Sequence, residues 1–348
     1  MIGRFSLVIT APTVGSTKVT IQSTGTTLAD SSQSRVITAQ LAIPSLAKYA
    51  VVANDNMRFG AGTEVYGPIH SNAGIRFDGL AHNIITSALS TYTDPDHAGG
   101  AEFAVHTHAD TTHTVADMPP NSTVNDNYRP LEAPPSTMSS RSDIFLSGRQ
   151  VSVPAVDFTG ITTNLSTIKT SAQASGRYYA ASGVLGYYIR LKTNDVFDIY
   201  KVTSLVAGNN PCQNSANQAS SQDGWGTWSI NGKTLLASNV AFPANGLIFV
   251  EDDLWIDGAI NSARLTIAAG KLPDVATTRK NITVNGNLLY TDYTGLDALS
   301  LIAQNNINSG LMSSTTQRID AALIAQNGRI GRYYYNSNCG VTYLQTQL

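Results

Sequence analysis

The sequence predicts a mainly β protein: a right-handed parallel β-helix with a small N-terminal β-module and a helix-containing insertion. Three observations point there. Only 13% of the 348 residues are Asp, Glu, Lys or Arg, against about 25% in ordinary soluble domains. The polar share falls instead to Ser, Thr, Asn and Gln, which suit pleated faces and turns. Apolar residues come in short alternating runs ended by Gly or Asn. Finally, Ile302-Ala303-Gln304-Asn305 returns as Ile324-Ala325-Gln326-Asn327, an offset of 22 (324 − 302), about the length of one solenoid coil.

Residues 1–53 read as the β-module. Phe5–Thr10, Lys18–Ser23 and Arg35–Leu41 alternate with period two between Ser/Thr/Gly turns, which predicts antiparallel strands. Ile43–Ala50 carries Pro44 near its start and predicts a helical turn. Residues 54–348 form the β-helix-like domain. Its first pieces, Met57–Gly60, Thr63–Gly67 and Gly74–Gly79, are too short to cross a sandwich and suit tight coils. Residues 94–141 are rich in Pro, Asp, Asn, His and Thr and read as an irregular insertion. A second insertion, α+β, spans about 154–230. In it, Ile161, Leu165, Ile168 and Ala172 share a helical face within Phe158–Ser175, stopped by Gly176. Tyr187–Leu191 and Val196–Val202 predict a hairpin around Thr193-Asn194-Asp195.

The strongest alternation runs from Asn245 to Tyr335. Its apolar pairs are Ile248/Val250, Leu254/Ile256, Leu265/Ile267, Ile282/Val284, Leu299/Leu301 and Leu323/Ala325. Between them sit Asp257-Gly258, Asn285-Gly286-Asn287 and Asn327-Gly328. Leu296-Asp297-Ala298 also returns as Ile319-Asp320-Ala321, at an offset of 23 (319 − 296). Such repeats predict stacked apolar residues in a narrow core, with Asn side chains laddered at the corners.

A formal net charge of −2 offers no cationic surplus to track phosphates, so a nucleic-acid partner is not expected. No apolar run of about 18 residues predicts a membrane span. Met1–Thr10 lacks a signal peptide's long apolar region and reads as a strand entered midway. The expectation is therefore a portion of a longer secreted or anchored protein.

The segment Phe59-Gly60-Ala61-Gly62-Thr63-Glu64-Val65-Tyr66-Gly67-Pro68-Ile69-His70-Ser71-Asn72-Ala73-Gly74-Ile75-Arg76-Phe77-Asp78-Gly79 resembles PilX-like, type IV pilus-associated surface proteins of bacteria. Gly246–Gly258 and the paired Ile-Ala-Gln-Asn segments are similar to the same group. Together they cover roughly half the chain. The resemblance implies an extracellular, partly β-helical passenger that follows a pilin-like membrane helix, and this chain lacks that helix. It also implies a non-enzymatic structural and adhesive role at the cell surface, with pilus subunits, surface components or a glycan as partners.

Two competing readings come from the residues. The first is a metal-dependent binding module. His106 and His108 fall on one side of an extended segment and could meet one cation, zinc or calcium, with Asp110 or His113 completing the site and His97 available to join it. The second is a β-helical polysaccharide lyase or hydrolase using Asp252, Asp253 or Asp257. Adjacent Asp252 and Asp253 would face opposite sides, however, and turn roles are expected for them, as for Asp292 and Asp297. No GxSxG occurs, and Gly60-Ala61-Gly62 lacks the strand, third glycine and helix of a dinucleotide loop. Trp225, Trp228 and Tyr334 are candidate adhesive rings among the many aromatics. Cys212 and Cys339 could form one disulfide or remain separate buried thiols.

Overall fold

The structure, a computed structural model, describes residues 3–10, 18–30, 32–42, 46–95, 100–109, 132–158, 164–206, 229–310, 313, 316–332 and 345–347. It is mainly β with one α-helix among the described residues, and the chain divides into two compact units, Met1–Val156 and Asp157–Leu348.

The first unit opens with strands β1 (Gly3–Thr10), β2 (Lys18–Thr27) and β3 (Ser34–Ala42). They form an antiparallel sheet in the order β1-β2-β3, as the alternation predicts. Phe5, Ile9 and Ile37 remain exposed on it. A 3-10 turn at Leu46–Lys48 follows.

Very short strands then succeed one another: β4 (Val51–Ala53), β5 (Met57–Phe59), β6 (Glu64–Val65), β7 (Ile69–Ser71), β8 (Ile75–Phe77), β9 (Leu80–Ala81) and β10 (Ile85–Ser87). After them come β11 (Thr91–Tyr92), β12 (Glu102–Phe103), β13 (Val105–His106) and β14 (Arg149–Gln150). Most of them pair in parallel, β4 with β7 and β7 with β10, β5 with β8 and β8 with β13, β6 with β9, whereas β11 and β12 pair antiparallel. β14 closes the first of these sheets beside β10. Ile69, Ile75, Phe77, Ile85, Val105 and Phe145 fill the space between the sheets. Turn residues stack as well: Asn72 Nδ2 donates to Asn54 Oδ1 at 2.7 Å.

The second unit begins with helix α1 (Asn164–Ser175). Leu165, Ile168 and Ala172 pack on Phe249, Ala268 and Ile302, the face that the four-three-four spacing predicts; Ile161 lies outside the described residues. Gly176 ends the helix where a Cβ would come within 2.5 Å of Leu247 O. β15 (Arg177–Tyr179), β16 (Gly186–Lys192), β17 (Val196–Leu205), β18 (Ile230–Ala241), β19 (Leu247–Val250), β20 (Leu254–Ile260) and β21 (Arg264–Ala269) follow. Next come β22 (Ile282–Thr283), β23 (Leu288–Tyr290), β24 (Ala298–Ala303), β25 (Ile307–Asn308), β26 (Thr316–Arg318), β27 (Ala322–Ala325), β28 (Ile330–Gly331) and β29 (Gln345–Gln347).

One sheet runs β15-β19-β21-β24-β27, all parallel. The other runs β18-β17-β16-β20-β22-β25-β28, antiparallel through the predicted hairpin and parallel beyond it. Every apolar pair predicted between Asn245 and Tyr335 enters the core between them, Leu323 and Ala325 at its partly buried margin. Within β24 and β27 the tetrapeptide repeat sits in register, Ile302 beside Ile324 and Ala303 beside Ala325. The 23-residue repeat does not: Ile319 bridges Leu288.

Asp257-Gly258 is not a turn but the middle of β20. Gly258 sits at φ +119, and a Cβ there would lie 2.2 Å from Leu191 O, so backbone crowding demands glycine inside a strand. No described helix is long and apolar enough to cross a membrane.

Candidate metal centre and the fate of the other sites

The parallel pairing of β13 with β8 sets His106 beside Arg76. The antiparallel pair β11–β12 sets Glu102 opposite Tyr92, with Asp94 just beyond. These pairings gather Asp94, Glu102, His106 and His108 in one place, all 3% exposed or less.

His106 Nε2 and His108 Nε2 are 3.1 Å apart. Asp94 Oδ2 lies 3.6 and 3.5 Å from them, and Glu102 Oε2 lies 3.3 and 3.4 Å away. Asp94, His106 and His108 thus converge as a possible metal-holding triad with Glu102 against both imidazoles.

The surroundings orient each group. His106 Nδ1 is 3.1 Å from Phe103 O. A carbonyl only accepts, so in the neutral ring Nδ1 carries the proton and the Nε2 lone pair faces inward. Burial pushes the His106 pKa down, outweighing the pull of Glu102, which favours that neutral ring. Tyr92 packs on His106 at 5.3 Å between ring centroids. It can do so because residue 74 is glycine: a Cβ there would fall 2.2 Å from the Tyr92 ring.

The His108 amide donates to Asp78 Oδ1 at 2.6 Å, and Arg76 Nε donates to Asp78 Oδ2 at 2.7 Å. The Thr107 amide donates to Glu132 Oε2 at 3.2 Å, and the Glu132 amide to Glu102 Oε1 at 3.4 Å, which leaves Glu102 Oε2 toward the imidazoles. Glu132 is in turn held by Arg149, whose Nη2 is 2.9 Å from Oε1.

Of the five imidazoles and carboxylates predicted as ligands, the structure brings together His106 and His108. Asp110, His113 and His97 lie outside the described residues. Asp94 and Glu102 escape sequence reasoning because strand pairing, not spacing, delivers them.

Trp225, Trp228, Tyr334, Cys212 and Cys339 also lie outside the described residues. Asp252 is buried and accepts from the Ser182 amide and hydroxyl at 2.9 and 2.6 Å and from Lys280 Nζ at 2.9 Å. Asp253 accepts from the Asn281 amide at 2.7 Å. Asp297 accepts from the amides of Ala263, Thr291 and Asp292, fastening a loop. Asp292 accepts from Thr294 within its own turn.

Burial alone would raise the Asp252 carboxyl, but Ser182 and Lys280 outweigh it and hold it below the ordinary value of 3.8. A depressed folded-state value means that the ionised group stabilises the fold above 3.8 and that this stabilisation is lost as pH falls through the folded value. Asp252→Asn should therefore be less stable than the parent at pH 7 and converge toward it in acid. Urea unfolding at both pH values checks this; a difference independent of pH would refute it.

No protein-family model, curated protein or solved structure matches this chain.

Proposed function

We propose that this chain is a non-enzymatic structural and adhesive protein of the bacterial cell surface. On this reading its parallel sheets are the faces of β-helical coils, and its first unit is pinned by one buried divalent cation of the zinc class. The observation that carries the metal reading is the convergence of two imidazole Nε2 atoms with the Asp94 and Glu102 carboxylates. Their separations of 3.1 to 3.6 Å bracket the edge of about 3.3 Å of a tetrahedron with bonds of about 2.0–2.1 Å.

Charge supports it. The buried carboxylates Asp94 and Glu102 and the partly buried Asp78 face a single guanidinium, that of Arg76, and a divalent ion beside neutral imidazoles offsets that excess of acidic groups. Two nitrogen donors favour zinc over calcium, which takes oxygen ligands. Complete burial suits a structural ion better than a catalytic one, which needs an open position.

The adhesive, pilus-associated part rests on the sequence resemblance, and the in-register Ile-Ala-Gln-Asn repeat supports the coil reading. The enzyme alternative is weaker because Asp252, Asp253, Asp292 and Asp297 are engaged in fastening backbone, and Asp257, which accepts from the Tyr188 hydroxyl, has no second carboxylate beside it among the described residues that line its cleft.

Metal analysis of the full chain tests the ion. The expected result is one zinc per chain, lost in His106→Ala/His108→Ala, and a melting temperature lowered by chelation in the parent alone. A metal-free parent that neither takes up added zinc nor shifts its melting temperature would sink the reading.

A further inference from the structure

The outer face of the long sheet in the second unit carries a different cluster. Register sets Tyr188 beside Tyr200 on one side and beside Trp255 on the other, with Trp255 beside Thr283, so one row of side chains crosses four strands. Two residues further along, Arg190 stands beside Asp257. The row borders a cleft of about 230 Å³ whose lining includes Tyr188, Ser229, Lys233, Trp255, Asp257 and Asn285.

The cleft combines apolar rings with both kinds of hydrogen-bonding group. Lys233 Nζ stands 4.1 Å from the Tyr188 ring centroid and 4.8 Å from that of Tyr200. Asp257 Oδ1 accepts from the Tyr188 hydroxyl at 2.8 Å. Residue 286 must be small for the wall to stand: a Cβ at Gly286 would lie 2.9 Å from Asp257 Cβ and 3.0 Å from Oδ2. Burial raises the Asp257 carboxyl despite the Tyr188 hydroxyl, so this acid lies in a desolvated wall rather than in open water.

We propose that this cleft binds one pyranose unit of a neutral glycan. Its volume falls below the about 300–1,000 Å³ of pockets for drug-sized ligands, which fits a single sugar ring. Ring hydroxyls both donate and accept, matching a wall that offers Asp257 as acceptor and Lys233 as donor. The apolar part of a pyranose meets the apolar lining that Tyr188, Ile230, Trp255 and Ile256 contribute.

The proposal supplies a ligand class for the adhesive reading and rests on it. Because the cleft is built by the second unit alone, sugar titration and metal analysis fail independently of each other.

The chain has three tryptophans, so Trp225→Phe/Trp228→Phe leaves Trp255 as the sole indole reporter. Titration of this variant with glucose, galactose, mannose and N-acetylglucosamine should give a saturable change in emission for at least one, with a Kd of about 1 mM or tighter. Asp257→Asn and, separately, Lys233→Met should each weaken that binding at least fivefold while the circular dichroism of the folded chain is retained. Lys233→Met serves as the decisive variant if Asp257→Asn does not fold. No saturable change with any of the four sugars, or affinity unaltered by both substitutions, would overturn the proposal.

Discussion

Arg149→Met should destabilise the first unit by about 3–5 kcal/mol, because it leaves the Glu132 carboxylate buried without its principal cation. The side chains are 1% and 8% exposed. The guanidinium does more than pair: Nη1 donates to Val105 O and Nη2 to Ser139 O, both at 2.8 Å, so those carbonyls lose their donors as well. Arg141 Nη1, 3.9 Å from Glu132 Oε1, is the remaining cation and places the loss toward the lower end of that range. Glu132→Gln/Arg149→Met removes both charges and should recover much of the loss, since a buried pair is costly to break but cheap to replace as a whole. Urea unfolding with hydrogen exchange read at the Thr107 amide measures both variants. A single-variant loss below about 1 kcal/mol would put the pair on a par with surface ion pairs and refute the argument.

The same substitution tests whether the candidate metal centre depends on its supports. Glu132 holds the Thr107 amide, between the two imidazoles in sequence, and its own amide holds Glu102. Groups that orient ligands in this way typically contribute about ten- to a hundredfold to metal affinity. Zinc affinity should therefore fall in Arg149→Met even though no imidazole or Asp94 has changed.

How far the sequence could reach follows from which interactions are local. The second unit's core was legible because period-two alternation decides which side chains face inward whatever the strands pair with. That is why Ile248, Ile256, Leu265, Val284 and Leu299 could be placed before any pairing was known. α1 was legible for the same reason at period 3.6. β18 was not, because Ile230–Ala241 lies at the edge of its sheet with mostly exposed side chains and no alternation to read. Its strand character comes from pairing with β17, which also breaks register several times. In the candidate metal centre, His106 and His108 are two residues apart and visible. Asp94 and Glu102 arrive through β11, β12 and β13, and nothing in their spacing announces that. Asp257-Gly258 misleads in the opposite direction: a common turn pair sits mid-strand because Gly258 meets the Leu191 backbone.

The repeat offers the sharpest separation of what sequence similarity does and does not fix. Leu301 and Leu323 are neighbours in register, and Ile267 flanks Leu301 on the other side. Leu301 is fully buried, whereas Leu323 is partly exposed where the stack ends toward β27. Leu301→Ala should therefore cost about 2–5 kcal/mol, the transfer term plus an uncollapsed cavity between two layers. Leu323→Ala, which can be filled by solvent, should cost clearly less.

The repeated polar positions diverge further. Asn305 donates to Asn281 Oδ1 at 3.1 Å, continuing a ladder in which Asn281 donates to Asp253 Oδ1 at 3.1 Å. Asn327 instead donates to the Gln304 carbonyl at 2.8 Å. Asn305→Ala breaks a side-chain ladder inside the stack, and Asn327→Ala breaks one side-chain-to-backbone bond at its margin. Urea unfolding of the four variants should thus rank Leu301→Ala first, with each inner variant costing more than its outer counterpart. Equal losses at Leu301 and Leu323 would show that position in the repeat, not depth in the stack, sets the energy, and would refute the layered core as the source of stability.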